Sequence, residues 1–150
     1  MRIAIASDHA ALALKSALAD WLRAAGHHVN DLGPHSDASV DYPDFGYALA
    51  SAMADGDAER GIALCGSGIG ISIAVNRNPA CRCARVDDPL SAQLAREHND
   101  ANVIALGARL IGIDMAKACV SAFLRTEFAN TAEGGDRHIR RVAKLGTPSL

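Results

Sequence analysis

The sequence predicts an α/β protein: a three-layer sandwich in which helices cover both faces of a mostly parallel five-stranded sheet, with a helical tail at the C-terminus. Three observations carry this. Short apolar runs alternate with segments of helical apolar spacing along most of the 150 residues. One run, Gly61-Ile62-Ala63-Leu64-Cys65, is apolar without a break, as strands buried on both faces are. Glycine, proline or aspartate marks many of the changes from one kind of segment to the other.

Residues 2–6 (RIAIA) form the first strand, which stops at Ser7-Asp8. From Ala10 to Ala25 the spacing is helical, with Leu14, Leu18, Trp21 and Leu22 on one stripe. Gly26 ends that helix, and His27 to Leu32 forms a second strand before the turn-rich segment Gly33 to Asp41. Tyr42-Pro43-Asp44 opens the next helix, whose apolar positions include Phe45, Leu49 and Met53, and Asp55-Gly56-Asp57 closes it. The strand Gly61 to Cys65 runs directly into Gly66-Ser67-Gly68-Ile69-Gly70. There follow a strand around Arg82 to Val86, a helix from Pro89 to about Glu97, a strand Val103 to Leu106 and a helix from about Ile113 to Phe123. Right-handed crossovers put all strand-to-helix loops at one sheet edge, where Asp8, Cys65 and Asp87 then lie. The tail Glu133 to Leu145 carries Arg137, Arg140, Arg141 and Lys144, too polar for a core helix, so it is expected to pack over an edge or onto a neighbouring subunit. No repeat or linker interrupts the chain, and residues 1–150 read as one domain.

The apolar fraction is 49%, the charged fraction 21% and the formal net charge −2, which gives no electrostatic reason to expect nucleic acid or an anionic membrane as partner. Small, weakly charged ligands stay open. Of the four cysteines, Cys81 and Cys83 stand two apart on a predicted strand, badly placed to bond each other, and no disulfide framework emerges. His27, His28 and His35 have no metal-ligand spacing and read as surface residues; nothing builds a zinc site. The N-terminus lacks the apolar run and cleavage site of a secretory signal, and no stretch is long enough to cross a bilayer. The expectation is a soluble protein of a reducing cytoplasm.

A glycine-rich turn between a buried strand and a helix exposes backbone N–H groups, which suit negative charge. Taken alone, Gly66 to Gly70 reads equally well as a tight turn without a ligand. Cys65 shifts that balance: a thiol beside a helix N-terminus is expected to ionise more readily and so to remove a proton or attack an electrophile. Cys81, Cys83 and Cys119 read as inert buried residues. Asp8-His9 reaches the same edge as Cys65, although Asp8 taken alone fits a helix cap better, and the two roles can coexist. Arg96-Glu97-His98-Asn99-Asp100 is a dense polar knot where a plain fold needs only a turn; His98 suits proton transfer, or simply a helix end. Arg109, Arg137 and Arg141 are candidates for phosphate contacts, and the last two, four apart, share a helical face.

Ser7-Asp8-His9-Ala10, Asp41-Tyr42-Pro43-Asp44, Cys65-Gly66-Ser67-Gly68-Ile69-Gly70 and Arg96-Glu97-His98-Asn99-Asp100, with Gly107-Ala108-Arg109 and the tail Arg137-His138-Ile139-Arg140-Arg141, occur in the order in which the ribose-5-phosphate isomerase B family carries such motifs. The chain resembles that family over nearly its whole length. The resemblance implies a Rossmann-like fold and dimers or tetramers with sites at subunit interfaces. It further implies interconversion of ribose 5-phosphate and ribulose 5-phosphate, a step of the non-oxidative pentose phosphate pathway, without metal or organic cofactor. By the same resemblance Cys65 is the base that moves the proton between C1 and C2, and amides of Gly66 to Gly70 hold the enediolate oxygen. His98 helps to open the furanose ring. Asp8 and Asn99 hold sugar hydroxyls, and His9, Tyr42, Arg109, Arg137 and Arg141 surround the substrate, the arginines directed to its phosphate. Relatives that use a glutamate as base carry it where Ile71 stands here, and Ser67 stands where threonine is frequent. Asp136 is an extra residue between Gly134-Gly135 and Arg137. Other sugar phosphates (allose 6-phosphate, galactose 6-phosphate, a tetrulose phosphate) and a non-catalytic anion-binding domain are the alternatives.

Overall fold

The computed structural model describes residues 1–130 and 134–147. Five strands, β1 (Arg2–Ser7), β2 (His28–Asp31), β3 (Arg60–Cys65), β4 (Cys83–Arg85) and β5 (Val103–Gly107), form one sheet in the order β2-β1-β3-β5-β4. Every pairing is parallel. The helices are α1 (Leu12–Ala24), α2 (Tyr42–Ala54), α3 (Ile69–Val75), α4 (Pro89–Asn99), α5 (Ile113–Arg125) and α6 (Gly135–Gly146), with a 3-10 turn over His9–Ala11 before α1.

The alternation of side chains along each strand divides the interior by size. Ile3, Ile5, Ile62, Leu64, Ile104 and Leu106 face a core shared with α1, α4 and α5. Ala4, Ala6, Ala63, Cys65, Val103 and Ala105 face the other core, with α2 and α3. Small residues bring the second layer close: a β-carbon on Gly61 would stand 3.0 Å from Leu49 Cδ2, and one on Gly46 would stand 2.8 Å from Ala74 Cβ.

Most boundaries agree with the sequence reading to within a residue or two. The helix from Pro89 runs to Asn99 rather than stopping near Glu97, because Asp100 takes the left-handed conformation (φ 46°) that ends a helix. The 3-10 turn replaces the expected first turn of α1. Cys81 precedes β4 instead of lying on it and turns its thiol toward the Ala50 carbonyl at 3.8 Å. On the outer edge of β4, the Asn76 side chain donates to the Cys83 carbonyl at 2.9 Å and accepts from the Cys83 amide at 2.8 Å. The tail helix is α6, beginning at Gly135; Glu133 lies outside the described residues. It buries Gly135 and His138 and leaves its arginines exposed.

Lys15 was not singled out by the helical spacing, yet it is 1% exposed. Its ammonium binds both oxygens of Asp31, at 2.5 and 2.7 Å, joining α1 to the end of β2. Burial works against ionisation of Asp31, but the Lys15 hydrogen bond, the Gly33 amide and the lysine charge outweigh it and hold the carboxyl below its ordinary value.

Candidate active site

The strand order reverses between β1 and β3, so their carboxyl ends flank the crevice where open parallel sheets bind ligands. Asp8 follows β1 and Cys65 ends β3. A cavity of about 320 Å³ opens there. Asp8 and His9 enter it after β1, Tyr42 from the start of α2, Cys65, Gly66, Ser67 and Gly70 from the end of β3 and the turn beyond, and Arg109 from the loop after β5. The acid, imidazole and thiol expected at this edge therefore line one cavity, and Leu110, unremarked in the sequence, completes its wall.

The backbone around Cys65 is tightly specified. Its side chain is nearly buried, with the residue 4% exposed, and Sγ accepts a hydrogen bond from the Gly68 amide at 3.1 Å. Gly68 has φ +74°, and a β-carbon there would stand 2.9 Å from the carbonyl carbon of Leu106, so only glycine fits both the turn and the contact. The following helix, α3, has seven residues; the nearest donor to the sulfur is this individual amide rather than a long helix's dipole. Ile69 is 51% exposed and lies outside the cavity wall. A β-carbon on Gly66 would stand 3.3 Å from the Arg109 guanidinium, and one on Gly70 would stand 2.6 Å from Tyr42 Cζ. The guanidinium and the phenol ring thus rest directly on the backbone of the turn.

Asp8 occupies the cap position of the 3-10 turn but makes no capping bond, so the expected cap is not formed. Its Oδ1 is buried without a hydrogen-bond partner in a residue 8% exposed. A buried acceptor left unpaired is costly, and at a cavity wall it is open to a donor from a bound molecule. His9 Nδ1 accepts from the Val40 amide at 3.2 Å; a backbone amide only donates, so the neutral ring carries its proton on Nε2.

Four candidate residues stand elsewhere. His98 and Asn99 end α4, whose run back from the strands' carboxyl ends carries them to the opposite edge of the sheet. Arg137 and Arg141 lie on α6. None of the four lines the Cys65 cavity. The His98 ring stacks on His138, with centroids 4.5 Å apart and planes 3° from parallel. Desolvation first, then the nearby His98, Arg137 and Arg141, hold His138 below the ordinary histidine value. Arg96, 3% exposed, donates to Asp100 Oδ1 at 2.8 Å and to the Ala101 carbonyl at 2.7 Å, while Arg82 donates to Asp100 Oδ2 at 2.7 Å. The polar knot is therefore partly a clamp that fixes the end of α4. Asn99 and Arg82 border a second cavity of about 430 Å³, closed on one side by Val142 and Leu145 of α6.

All four cysteines are free thiols. Burial pushes Cys81, Cys83 and Cys119 up, the last to about 11; Cys65 is the thiol that lines the switch-point cavity, where its sulfur accepts from a backbone amide. Among the described residues no cluster of three His, Cys, Asp or Glu side chains is placed to hold a metal ion, and no described helix is long and apolar enough to cross a membrane.

Residues 3–145 match the family described as Ribose/Galactose Isomerase. The chain is 41% identical to ribose-5-phosphate isomerase B of Escherichia coli over 144 residues, covering 96% of this chain and 93% of that one. It is 44% identical to D-erythrulose-4-phosphate isomerase of Pectobacterium atrosepticum over 148 residues, 97% of this chain and 93% of that one. The solved structure of Clostridium thermocellum ribose-5-phosphate isomerase B superimposes with a TM-score of 0.93 at 46% identity, covering 97% of this chain and 95% of that one. With its parallel sheet, its motifs and its full-length similarity in agreement, this chain belongs to the ribose/galactose isomerase family of sugar-phosphate aldose-ketose isomerases.

Proposed function

We propose that the protein interconverts D-ribose 5-phosphate and D-ribulose 5-phosphate through an enediolate, with Cys65 as the base. The observation that carries this reading is the Cys65 sulfur at the switch-point cavity, accepting from the Gly68 amide and sharing the cavity wall with the unpaired Asp8 carboxylate. On the open-chain aldose the thiolate takes the proton from C2. The C–H electrons form the C1–C2 double bond, and the carbonyl electrons move onto the C1 oxygen. Amides of the Gly66–Gly70 turn are suited to hold that oxyanion. Return of the proton to C1, with transfer from the C2 hydroxyl to the C1 oxygen, gives the ketose. Asp8 accepts from a sugar hydroxyl, and His9, donating from Nε2, joins Tyr42 and Arg109 around the substrate.

His98, Asn99, Arg137 and Arg141 enter this scheme only if a second copy of the chain brings its α4 end and α6 against the Cys65 cavity. The working unit of the proposal is accordingly a homodimer or homotetramer with composite sites, in which His98 opens the furanose ring, Asn99 holds a sugar hydroxyl and the arginines bind the phosphate. The scheme routes no step through a metal or organic cofactor and fits a cytoplasmic metabolic enzyme.

The test is conversion of ribose 5-phosphate, with EDTA present, by the wild-type protein and by Cys65→Ala. Turnover that collapses at least a thousandfold in a variant that still folds and binds substrate supports reaction and base together; an active variant overturns the base. The 44% identity to a D-erythrulose-4-phosphate isomerase favours a second reading, the same chemistry on a shorter sugar phosphate. Wild-type protein inert toward ribose 5-phosphate but active on a tetrulose phosphate would select it.

A further inference from the structure

The Gly68 amide that reaches Cys65 belongs to the peptide unit whose carbonyl is that of Ser67, and the carbonyl is held from the other side. Arg85 Nε donates to the Ser67 oxygen at 3.0 Å. The rest of the guanidinium is clamped by Asp87, with Nη1 at 2.6 Å from one carboxylate oxygen and Nη2 at 2.9 Å from the other. A peptide unit is planar, so fixing the direction of its oxygen fixes the direction of its N–H. A donor on the carbonyl also polarises the unit and makes its N–H a stronger donor in turn. Gly107 backs the same carbonyl: a β-carbon there would stand 2.7 Å from the Ser67 oxygen. Arg85 is a surface residue outside the cavity wall, and neither it nor Asp87 has a part in the scheme above.

We propose that Arg85 is a positioning residue for the isomerase base: gripping the Ser67 carbonyl, it keeps the Gly68 N–H aimed at the Cys65 sulfur and favours the thiolate. Asp87 is the strut that holds the guanidinium square to that carbonyl. Because the arginine and aspartate charges offset each other, the effect travels through the hydrogen-bonded peptide rather than through a bare cation. The inference rests on Cys65 being the base, and it adds a residue that touches neither substrate nor sulfur.

The experiment compares Arg85→Met, which keeps the side chain's apolar stem, and Arg85→Lys, which keeps a donor, with the wild-type full-length protein. Two quantities are read: the rate of Cys65 alkylation by iodoacetamide at pH 7, resolved by peptide mass spectrometry, and kcat and KM for ribose 5-phosphate. Loss of one such hydrogen bond is expected to slow alkylation in R85M by roughly five- to tenfold, to lower kcat in similar proportion and to leave KM within about twofold. R85K should recover most of both rates. A loosened fold would expose the thiol and speed its alkylation, so unfolding cannot imitate the expected result. Alkylation at the wild-type rate in R85M, or equal impairment of R85M and R85K, would overturn the proposal. An active C65A would remove the base reading and the expected kcat loss with it, whereas alkylation reports on Arg85 independently of turnover.

Discussion

The Oδ1 of Asp8 is buried without a hydrogen-bond partner, and in the proposed scheme a sugar hydroxyl supplies one. Removing the carboxylate by Asp8→Ala deletes a buried acceptor that the free protein does not satisfy. The expected outcome is an unfolding midpoint equal to or above that of the wild type, together with a KM for ribose 5-phosphate raised at least tenfold, a stability gain coupled to lost function. Calorimetry and steady-state kinetics on one sample check both. Glycine has an equally concrete role at position 70, where a β-carbon would stand 2.6 Å from Tyr42 Cζ. Gly70→Ala should therefore push the phenol ring off the turn and weaken substrate binding while the fold persists. At this scale the sequence exposed the groups whose types are unusual for their setting, such as a cysteine followed by three glycines in five residues. It did not expose Arg85, because a guanidinium that grips a carbonyl 18 residues away looks like any other surface arginine until the chain is folded.

Secondary-structure elements are joined by pairs that local patterns do not reveal. Lys15 meets Asp31 only once α1 has packed beside β2, so helical periodicity alone would leave it in solvent; it is 1% exposed in the fold because the carboxylate of Asp31 receives its ammonium. Asp31→Ala leaves the ammonium buried without a counter-charge and is expected to cost about 3–5 kcal/mol in chemical denaturation. The pH sign follows from the depressed carboxyl: the pair's contribution is fully present above about pH 4, the unfolded carboxylate range, and is lost as acid drives the pH down through the lower folded value. The junction of α4 and α6 responds in another window. His138 is held below the ordinary histidine value, chiefly by desolvation, so the unfolded tail takes up a proton more readily than the docked one. Acidification below about pH 6.5 should therefore loosen α6, seen as faster amide exchange over Gly135–Gly146 with the sheet still protected. The motif Arg96–Asp100 was legible as a polar knot, but the use of Arg96 and Asp100 as a clamp, apart from the His98 and Asn99 that the proposal assigns to substrate, depends on the turn at Asp100 (φ 46°), which the helical spacing does not announce.

For the molecule as a whole, strand and helix alternation was enough to give the parallel sheet and to bring Asp8 and Cys65 to one edge, since right-handed crossovers leave few other arrangements. The gap between the Cys65 cavity and the end of α4 was not legible, because order along a chain carries no distance across an assembly. If two copies complete each site, inactive Cys65→Ala and His98→Ala proteins refolded together should recover about a quarter of the wild-type sites, as random pairing makes half the dimers mixed and each mixed dimer holds one intact site of two. No recovery in the mixture would mean that the Cys65 and His98 of a site belong to the same chain. The carboxamide of Asn76, seated on the outer edge of β4, has a consequence of another kind. An open sheet is a template that invites a stranger's backbone, and here a side chain occupies the place where an incoming strand would begin to pair. The protein in effect carries its own plug against fibrous growth, and losing it by Asn76→Ala should surface first as slow, concentration-dependent deposition of otherwise native, active protein.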